Sequence, residues 1–423
     1  MFRSLWIVEL AVLCMALGAR AQSGGEGLSS AIVRGDLVAV ERMLSAGTDV
    51  NQADSVGSTP LMVAVLARRD QIVEFLLSHG ADPNVRQRQS GSTALRYAVI
   101  ENRADLARAL LAHGANVTVE YPDGETLLHL ASEHASAELV GLLCAAQANK
   151  NAVNAKGNTP LDEAVLRGRT GSVIALLRYL ADARRVRVSD GRGPVHEACI
   201  EDYGALIGPL VEAGADPSLE DRTGQTPLDL ALDYKSDGAV KALLKLAPGR
   251  TALQANFESA MESAVVRGRT ARAALLLDAG FPATQATREG SHYLNDAALK
   301  GQLNVARLLL DHGATADTRN QNGGTALHDA ATEGDTAVIA LLLDRGAAID
   351  ARETATGATP LMLAASLART GAVSLLLARG ANAALRDNAG RTALSRAREL
   401  EEPDLVKLLE KAAEKPGGQA RTT

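Results

Sequence analysis

The sequence predicts an all-α fold built from a stack of short helix pairs. Three observations carry this prediction: a motif that recurs every 33 or 34 residues, an alanine column inside that motif, and apolar residues at helical spacing. In ten of the twelve copies a leucine, and in the other two Val195 or Met261, is followed three residues later by alanine. We number each copy from an anchor two residues before that leucine, valine or methionine. The anchors are Glu26, Thr59, Thr93, Thr126, Thr159, Gly193, Thr226, Ser259, His292, Thr325, Thr359 and Thr392.

The alanine column lies five residues after the anchor and is complete in all twelve copies. Two residues after the anchor there are ten leucines, and the other two copies have Val195 and Met261. Alanine at a fixed helical position indicates close helix packing, because a larger side chain would push neighbouring helices beyond about 8–10 Å.

The tenth copy shows how each element of a repeat is specified. Thr325 suits a helix start, and Leu327 and Ala330 follow at helical spacing. Gly334 breaks the pattern and separates a first helix from a second. Gly346 ends the second helix, since glycine readily adopts the left-handed conformation found there. One such pair cannot bury its apolar face alone, so the pairs must stack.

The residue pattern of the motif resembles the ankyrin repeat, whose signature is T-P-L-H-x-A about every 33 residues. The signature reads STPLMVAV at 58–65, NTPLDEAV at 158–165 and GTALHDAA at 324–331, and the later half reads FLLSHGADPN at 75–84. The resemblance covers roughly residues 26–413. It implies an ankyrin-repeat solenoid of about twelve helix-turn-helix units with β-hairpin-like finger turns.

A break in the pattern divides the predicted array. The stretch KLAPGRTALQANFESA lacks the usual glycine-alanine helix ending and contains Pro248, which predicts a seam near 246–257. We therefore expect repeats 1–7 over 26–250 and repeats 8–12 over 251–413. The last repeat is rich in charge, as a solvent-facing cap should be. The tail, 414–423, is expected to be disordered.

The N-terminus has the pattern of a secretory signal peptide. Residues 1–21 contain a basic residue, an apolar stretch, and Ala19 and Ala21 in A-x-A spacing. Glu9 departs from this pattern, and an uncleaved apolar leader is the alternative. We expect cleavage after Ala21, a short linker at 22–25, and an exported, periplasmic or secreted protein. No later segment approaches membrane-spanning length.

Composition limits the function classes further. The formal net charge of −6 gives no general attraction to nucleic acid or to anionic membranes. Aromatic residues make up only 3% of the chain, so leucine, valine and alanine must build the core. We expect a monomer with another protein as its partner, without nucleic acid, membrane span or cofactor.

The histidines do not form a catalytic or metal-binding pattern. The column that holds His328 contains methionine at Met62 and arginine at Arg96 in other repeats, so it is not a repeated general base. The resemblance implies a hydrogen-bonding role for His328 at its helix start. His129 and His134 are five residues apart, whereas a helical zinc pair needs a spacing of four. We therefore predict no catalytic, cofactor-binding or metal-binding residues.

Two cysteines, Cys144 and Cys199, follow the predicted leader. They fall in core columns two repeats apart, about 20 Å along the stack. A disulfide needs α-carbons within about 7 Å of each other. The prediction is two free, buried thiols.

The resemblance implies that partners bind at the finger turns and at the exposed side of the first helix. Interface preferences for arginine and tyrosine then favour Arg167, Arg192, Arg222 and Tyr234. The candidate partner-binding residues are Tyr121, Lys156, Asn158, Arg167, Asp190, Arg192, Glu201, Arg222, Gln225 and Tyr234.

An arginine cluster in the fifth and sixth repeats has two interpretations. It consists of Arg167, Arg169, Arg178, Arg184, Arg185, Arg187 and Arg192. One interpretation is a docking patch for an acidic partner. The other, which we favour, is internal neutralisation by acidic residues of the next repeat, because charge runs usually mark a solvated face. Those acidic residues are Glu197, Glu201, Asp202, Glu212 and Asp216.

The function that the sequence favours is a non-enzymatic scaffold that binds a macromolecular partner on its finger and first-helix surface. Two alternatives stay open: an accessory or regulatory subunit of one exported enzyme, and a secreted effector acting on host proteins. An enzyme is the least supported class, since no constellation of reactive side chains recurs with a fixed geometry.

Overall fold

The computed structural model describes residues 27–413; the predicted signal peptide, linker and tail lie outside the described residues. Between Gly224 and Gln225 the chain divides into two compact units, which we call unit 1 and unit 2 and describe separately. Each unit contains six helix pairs, so residues 27–413 hold the twelve pairs that the sequence predicts. The first helix of each pair has an odd number below, and the second has an even number.

The helices of unit 1 are α1 (Leu28–Arg34), α2 (Leu37–Ser45), α3 (Pro60–Leu66), α4 (Asp70–Ser78), α5 (Ala94–Ile100), α6 (Ala104–Ala112), α7 (Leu127–His134), α8 (Ala137–Ala145), α9 (Pro160–Leu166), α10 (Thr170–Arg178), α11 (Pro194–Ile200) and α12 (Gly204–Glu212). A single 3₁₀ turn spans Pro122–Gly124. Each first helix packs against its own second helix and against the first helices of the neighbouring repeats.

The helices of unit 2 are α13 (Pro227–Tyr234), α14 (Asp237–Leu246), α15 (Thr251–Val266), α16 (Thr270–Asp278), α17 (Tyr293–Leu299), α18 (Leu303–Asp311), α19 (Ala326–Glu333), α20 (Thr336–Asp344), α21 (Pro360–Ser366), α22 (Thr370–Ala378), α23 (Ala393–Arg398) and α24 (Pro403–Ala413). The packing follows the same scheme as in unit 1.

Local sequence explains where the first helices start and how closely they pack. In α3 the Thr59 hydroxyl accepts a hydrogen bond from the Met62 amide at 3.3 Å, and Pro60 occupies the first turn, where no amide donor is needed. All twelve alanines of the predicted column have no exposed surface. Their complete burial confirms that this column lies where the first helices approach one another.

The finger turns between repeats are reverse turns closed by backbone hydrogen bonds. The Asp54 amide, for example, donates to the Ser58 carbonyl at 2.9 Å. Gly57 in this turn has a φ of 86°, and a β-carbon there would lie 2.7 Å from the Arg88 nitrogen, so only glycine fits. Residues 27–413 contain no strand, and their two isolated antiparallel bridges show that the fingers resemble hairpins only locally.

The predicted seam coincides with a missing finger. Helix α14 ends at Leu246 and α15 begins at Thr251, so four residues replace the usual long turn. Helix α15 has 16 residues, whereas α13 has eight. Its extra turns hold Leu253 and Phe257, which are buried on one face. The predicted arrays, 26–250 and 251–413, assign the seventh helix pair to the first array, whereas α13 and α14 belong to unit 2; this assignment stays a prediction.

Candidate partner-binding surface

The candidate partner-binding residues divide between the two units. Gln225 and Tyr234 lie in unit 2, and the other eight lie in unit 1. In unit 1 the side chains differ widely in exposure. Exposed residues are Lys156, Arg167, Glu201 and Arg222, half-buried residues are Asp190 and Arg192, and buried residues are Tyr121 and Asn158.

Arginines of unit 1 pair with carboxylates that are almost completely buried. Arg167 bonds Glu133; the arginine side chain is 53% exposed and the glutamate side chain only 4%. Arg192 Nε lies 3.1 Å from Asp221 Oδ2, and the aspartate side chain is 1% exposed. A buried carboxylate is costly unless it is paired, so these acids fix the guanidinium groups in place.

Two further arginines continue this arrangement between the first helices and the fingers. Arg185 Nη1 lies 3.4 Å from Asp162 Oδ2. Arg187 bonds Glu197 and also donates to Asp190 Oδ2 at 2.7 Å. Burial opposes ionisation of Asp190, but the hydrogen bonds from Arg187 and from the Arg192 amide, with the charges of both arginines, together outweigh it and hold its pKa below the usual value. We call Arg167, Arg185, Arg187 and Arg192, with their carboxylate partners, the arginine surface.

The arginine surface supports internal neutralisation, with partners that differ from most of those expected. Only the pair of Arg187 with Glu197 joins an arginine to an acid named in the sequence prediction. Glu133 and Asp221 lie 34 and 29 residues from the arginines that they neutralise, and Asp162 lies 23 residues from Arg185. The sequence holds a signal for the pair of Arg167 with Glu133 only, since these opposite charges are 34 residues apart and fall at nearly equivalent positions of adjacent repeats.

Tyr121 is a buried part of the scaffold. It is 7% exposed, its hydroxyl lies 3.3 Å from Thr93 Oγ1, and the Arg96 guanidinium lies 4.4 Å from its ring centroid. Burial raises its pKa, although the Thr93 hydrogen bond opposes that effect. The neighbouring finger and first helix therefore cover Tyr121, which the sequence prediction places among the partner-binding residues.

A cavity of about 490 Å³ opens beside Tyr121, and sequence reasoning missed it because three successive repeats build it. The lining residues are Gln89, Ser90, Arg96, Tyr121, Pro122, Asp123, Glu125, Asn154, Ala155 and Lys156. Burial raises the pKa of Glu125, while the positive charge of Arg96 partly offsets it. The cavity thus places Lys156, a predicted binding residue, beside a half-buried carboxyl group.

Asn158 is also a buried scaffold residue. Its side-chain amide donates to Glu163 Oε1 at 3.0 Å, and its carbonyl lies 3.0 Å from His129 Nε2. Asn154 donates to the same glutamate oxygen at 3.1 Å. The buried amides replace arginine as partners of Glu163 and tie the finger to α9.

In unit 2, Gln225 and Tyr234 lie on either side of a charged pair. Gln225 Nε2 donates to Asp233 Oδ2 at 3.0 Å, and Arg272 bonds the other oxygen of the same carboxylate. The Tyr234 side chain is 58% exposed. Tyr234 is therefore available to a partner.

His328 and the two cysteines are structural in the described chain. The Thr325 amide donates to His328 Nδ1 at 3.0 Å, and His328 Nε2 lies 3.2 Å from the Ala358 carbonyl oxygen of the next repeat. Cys144 and Cys199 are free and buried, as predicted. Burial raises the pKa of the Cys144 thiol to about 11 and raises that of Cys199 further, so neither forms a reactive thiolate readily.

No group of three or more histidine, cysteine, aspartate or glutamate residues comes together within residues 27–413 to hold a metal ion. None of the described helices combines the length and the apolar character needed to cross a membrane.

These features define a protein of the all-α repeat class, in which stacked helix pairs display polar and charged side chains. A family model for ankyrin repeats (3 copies) matches residues 28–121, 260–353 and 348–417, and a model for ankyrin repeats (many copies) matches 110–164. The chain belongs to the ankyrin-repeat family, whose repeats are generally non-catalytic interaction modules.

Curated relatives match parts of the chain. Human B-cell lymphoma 3 protein is 32% identical over 226 residues, 51% of this chain and 50% of the relative. Target of rapamycin complex 2 subunit AVO2 of Saccharomyces cerevisiae is 31% identical over 128 residues, 30% of each chain. The mitochondrial disaggregase of Bos taurus is 32% identical over 176 residues, 41% of this chain and 25% of the relative. The matched segments span half or less of these relatives.

Proposed function

We propose that the protein is a non-catalytic scaffold that binds another protein through the arginine surface of unit 1. The observation that carries this proposal is the pairing of partly exposed guanidinium groups with buried carboxylates. Arg167 is held by Glu133 yet keeps 53% of its side chain exposed. A side chain fixed before binding loses little conformational entropy when a partner arrives.

Arginine is also chemically suited to this role. A guanidinium group has five N–H donors, and one carboxylate does not use them all. Arginine is enriched among the residues that dominate binding energy at protein interfaces. The partner segment should therefore present carboxylate or carbonyl acceptors to the first helices and fingers of α7 to α11.

The proposal is tested by removing the Arg167–Glu133 pair without leaving a buried charge behind. The double variant Arg167→Gln/Glu133→Gln keeps the net charge and permits a neutral hydrogen bond. We expect it to weaken binding by about 1–2 kcal/mol, roughly five- to thirtyfold in Kd. The partner is first captured on the mature protein and identified by mass spectrometry, and Kd is then measured by calorimetry.

A matched control uses an ion pair on the second helices. Arg108 and Glu138 are 2.8 Å apart, and both side chains are 62% exposed. The variant Arg108→Gln/Glu138→Gln makes the same chemical change away from the arginine surface and should leave Kd unchanged. Equal weakening by both double variants, or an unchanged Kd in the test variant, would refute the proposed surface.

A second candidate is a permanent subunit of a larger assembly. One relative is by its name a subunit of a complex, and the match covers 30% of that relative. On this proposal the partner co-purifies in fixed stoichiometry and does not exchange. A partner that dissociates within minutes would favour the reversible scaffold instead.

We also propose that the mature chain acts outside the compartment of its synthesis. The support is the order of basic, apolar and small residues over 1–21. The partner would then be an exported protein, including an exported enzyme that the scaffold protects or regulates.

A further inference from the structure

A second surface, in unit 2, carries an uncompensated row of carboxylates. Glu262, Asp296 and Asp329 lie on α15, α17 and α19, which are successive first helices that pack side by side. All three side chains are half-buried. We call these three residues the acidic row.

The acidic row lacks the arginine partners found on the arginine surface. Asp296 accepts a hydrogen bond from the Ser291 hydroxyl at 2.8 Å, and Asp329 accepts one from the Asn295 amide at 2.8 Å. The Glu262 side chain has no hydrogen bond or ion pair within the described chain. Neutral donors leave the negative charge in place, so the row attracts cations.

Carboxylates of the row raise the pKa of neighbouring carboxylates in it. Burial raises the pKa of Asp329 to about 6, and the nearby negative charges of Asp296 and Glu353 add to it. Burial also raises the pKa of Asp296, and Glu289 and Glu262 contribute. Opposite charge brought by a partner would therefore relieve an existing repulsion.

Two buried polar atoms next to the row lack a hydrogen-bond partner within residues 225–413. Asn295 is 2% exposed, and its Oδ1 is unpaired although its amide nitrogen bonds Asp329. Tyr293 is fully buried with an unpaired hydroxyl, and the charges of Glu262 and Asp296 help to raise its pKa after burial itself. Asn295 Oδ1 and the Tyr293 hydroxyl oxygen can both accept hydrogen bonds from N–H donors of a partner.

Apolar side chains accompany the carboxylates. Val266 lies four residues after Glu262 and is 48% exposed, while Leu299 lies three residues after Asp296 and is 38% exposed. Residues at these spacings share a helix face. A partner that meets the acidic row therefore meets aliphatic surface one turn away.

Cationic residues of unit 2 do not neutralise the row. Arg288 is 3.4 Å from Glu258 and bonds it. Lys300 is exposed and lowers the pKa of Asp296 only as a distant charge, without an ion pair in the described chain. Lys300 therefore marks one edge of the acidic row.

We propose that the acidic row binds an extended basic segment of another protein, with lysine or arginine at every third position and aliphatic residues between them. Adjacent first helices are about 10 Å apart. A segment in the extended polyproline II conformation advances about 3.1 Å per residue with three residues per turn, so its side chains at every third position lie on the same side. Three residues of the segment therefore span one repeat. This inference rests on the proposed scaffold function but assigns a second site and its chemistry.

The experiment uses a fluorescent ten-residue peptide with lysines at positions 2, 5 and 8 and valine or alanine elsewhere. Binding to the full chain is measured by fluorescence anisotropy at pH 7.5, above the pKa of about 6 of Asp329. The variant Glu262→Gln/Asp296→Asn/Asp329→Asn keeps side-chain shape and hydrogen-bond acceptors. We expect it to bind about tenfold more weakly, since each partly exposed charge pair contributes about a factor of two to three.

A matched control removes three carboxylates elsewhere in unit 2. The variant Glu399→Gln/Glu401→Gln/Glu402→Gln changes exposed residues of the last repeat and should bind the peptide as the unaltered chain does. A second peptide of equal composition, with its lysines adjacent, should bind at least threefold more weakly.

Equal binding of the two peptides, or equal binding to the row variant and the control variant, would overturn the proposal and leave only non-specific charge attraction. Capture of the partner by unit 1 should be unaffected in the row variant. A row variant that fails to bind the peptide but still captures that partner separates this inference from the arginine surface. Circular dichroism confirms that both variants are folded.

Discussion

Two buried histidines link stability to pH at the scale of single residues. Burial lowers the pKa of His129 and of His328, so both are neutral in the folded protein near pH 7. Each ring joins its own helix start to a carbonyl of the next repeat. The groups that act on His129 are the carbonyls of Asn158 and Ala152 and the charges of Glu163 and Asp162; those that act on His328 are the carbonyls of Ala358 and Ala351 and the charges of Glu353 and Arg319.

We predict that His129→Asn/His328→Asn flattens the acid side of the stability profile. An unfolded histidine has a pKa of about 6.5, and the folded value is lower, so acidification below about pH 7 favours the unfolded state. Above that range the histidines contribute fully, and the variant should lose about 1 kcal/mol per bridging hydrogen bond. Urea unfolding at several pH values between 5 and 7.5 measures both effects.

Asp329 changes the pH dependence of stability in the opposite direction, so its contribution must be separated from that of the histidines. Its pKa is raised to about 6 by burial, so its contribution is greatest at low pH and is lost as pH rises through that value. The difference between the unaltered chain and the histidine variant removes this contribution. An identical pH slope in both proteins would contradict the histidine assignment.

The role of His328 could be predicted from the sequence, whereas the burial of Tyr121 could not. The column of His328 contains methionine and arginine in other repeats, which excludes a repeated catalytic base. The observed hydrogen bonds of His328 agree with a helix cap. Tyr121 is covered by Arg96 and Thr93, which lie in the preceding repeat. A column gives the position of a residue in its own repeat but not the size of the side chains opposite it.

At the scale of elements, α15 shows how a change in local sequence replaces a finger with helix. The stretch TALQANF contains no glycine or proline, and Leu253 and Phe257 lie four residues apart on one face. Phe257 is 1% exposed and stacks against Phe281, with ring centroids 6.2 Å apart. Phe281 in turn contacts Tyr293, with a centroid distance of 6.0 Å. This aromatic cluster anchors the added turns.

We predict that Phe257→Ala destabilises unit 2 by about 3–5 kcal/mol, because a large buried side chain leaves a cavity. Since repeats interact mainly with their neighbours, increased hydrogen exchange should begin in α15, α16 and α17. The control is Val266→Ala, on the same helix but 48% exposed, which should cost below about 0.5 kcal/mol. Uniform loss of protection across residues 27–413 would contradict local anchoring by this cluster.

At the scale of the whole molecule, period and columns predicted the number of helix pairs and their order. They could not predict which side chains form the arginine surface, because most of its arginines pair with acids 23 to 34 residues away and a column does not show which side chains of adjacent repeats meet. Arg167 and Glu133 are 34 residues apart, and Arg68 and Glu101 are 33 apart. The cavity beside Tyr121 could not be predicted either, because residues of three successive repeats line it.

We predict that the protein recovered from its native host begins at Gln22 and carries two free thiols. Cleavage after Ala21 follows from the small residues at the end of the leader. Cys144 and Cys199 are buried and unpaired, so a thiol reagent should label neither rapidly in the folded protein and both in denaturant. Intact-mass spectrometry before and after labelling checks both statements. A retained residue 1, or a mass two hydrogens lower in the monomer, would contradict them.

Pairing across one period also makes the order of the copies matter. If the fourth copy were deleted, Arg167 would meet Ile100, which takes the place of Glu133 in the third copy, and the guanidinium would lose its counterion. The repeats of this protein are therefore not interchangeable. A shortened or shuffled version made by joining whole copies would need its charges rewritten at each new junction.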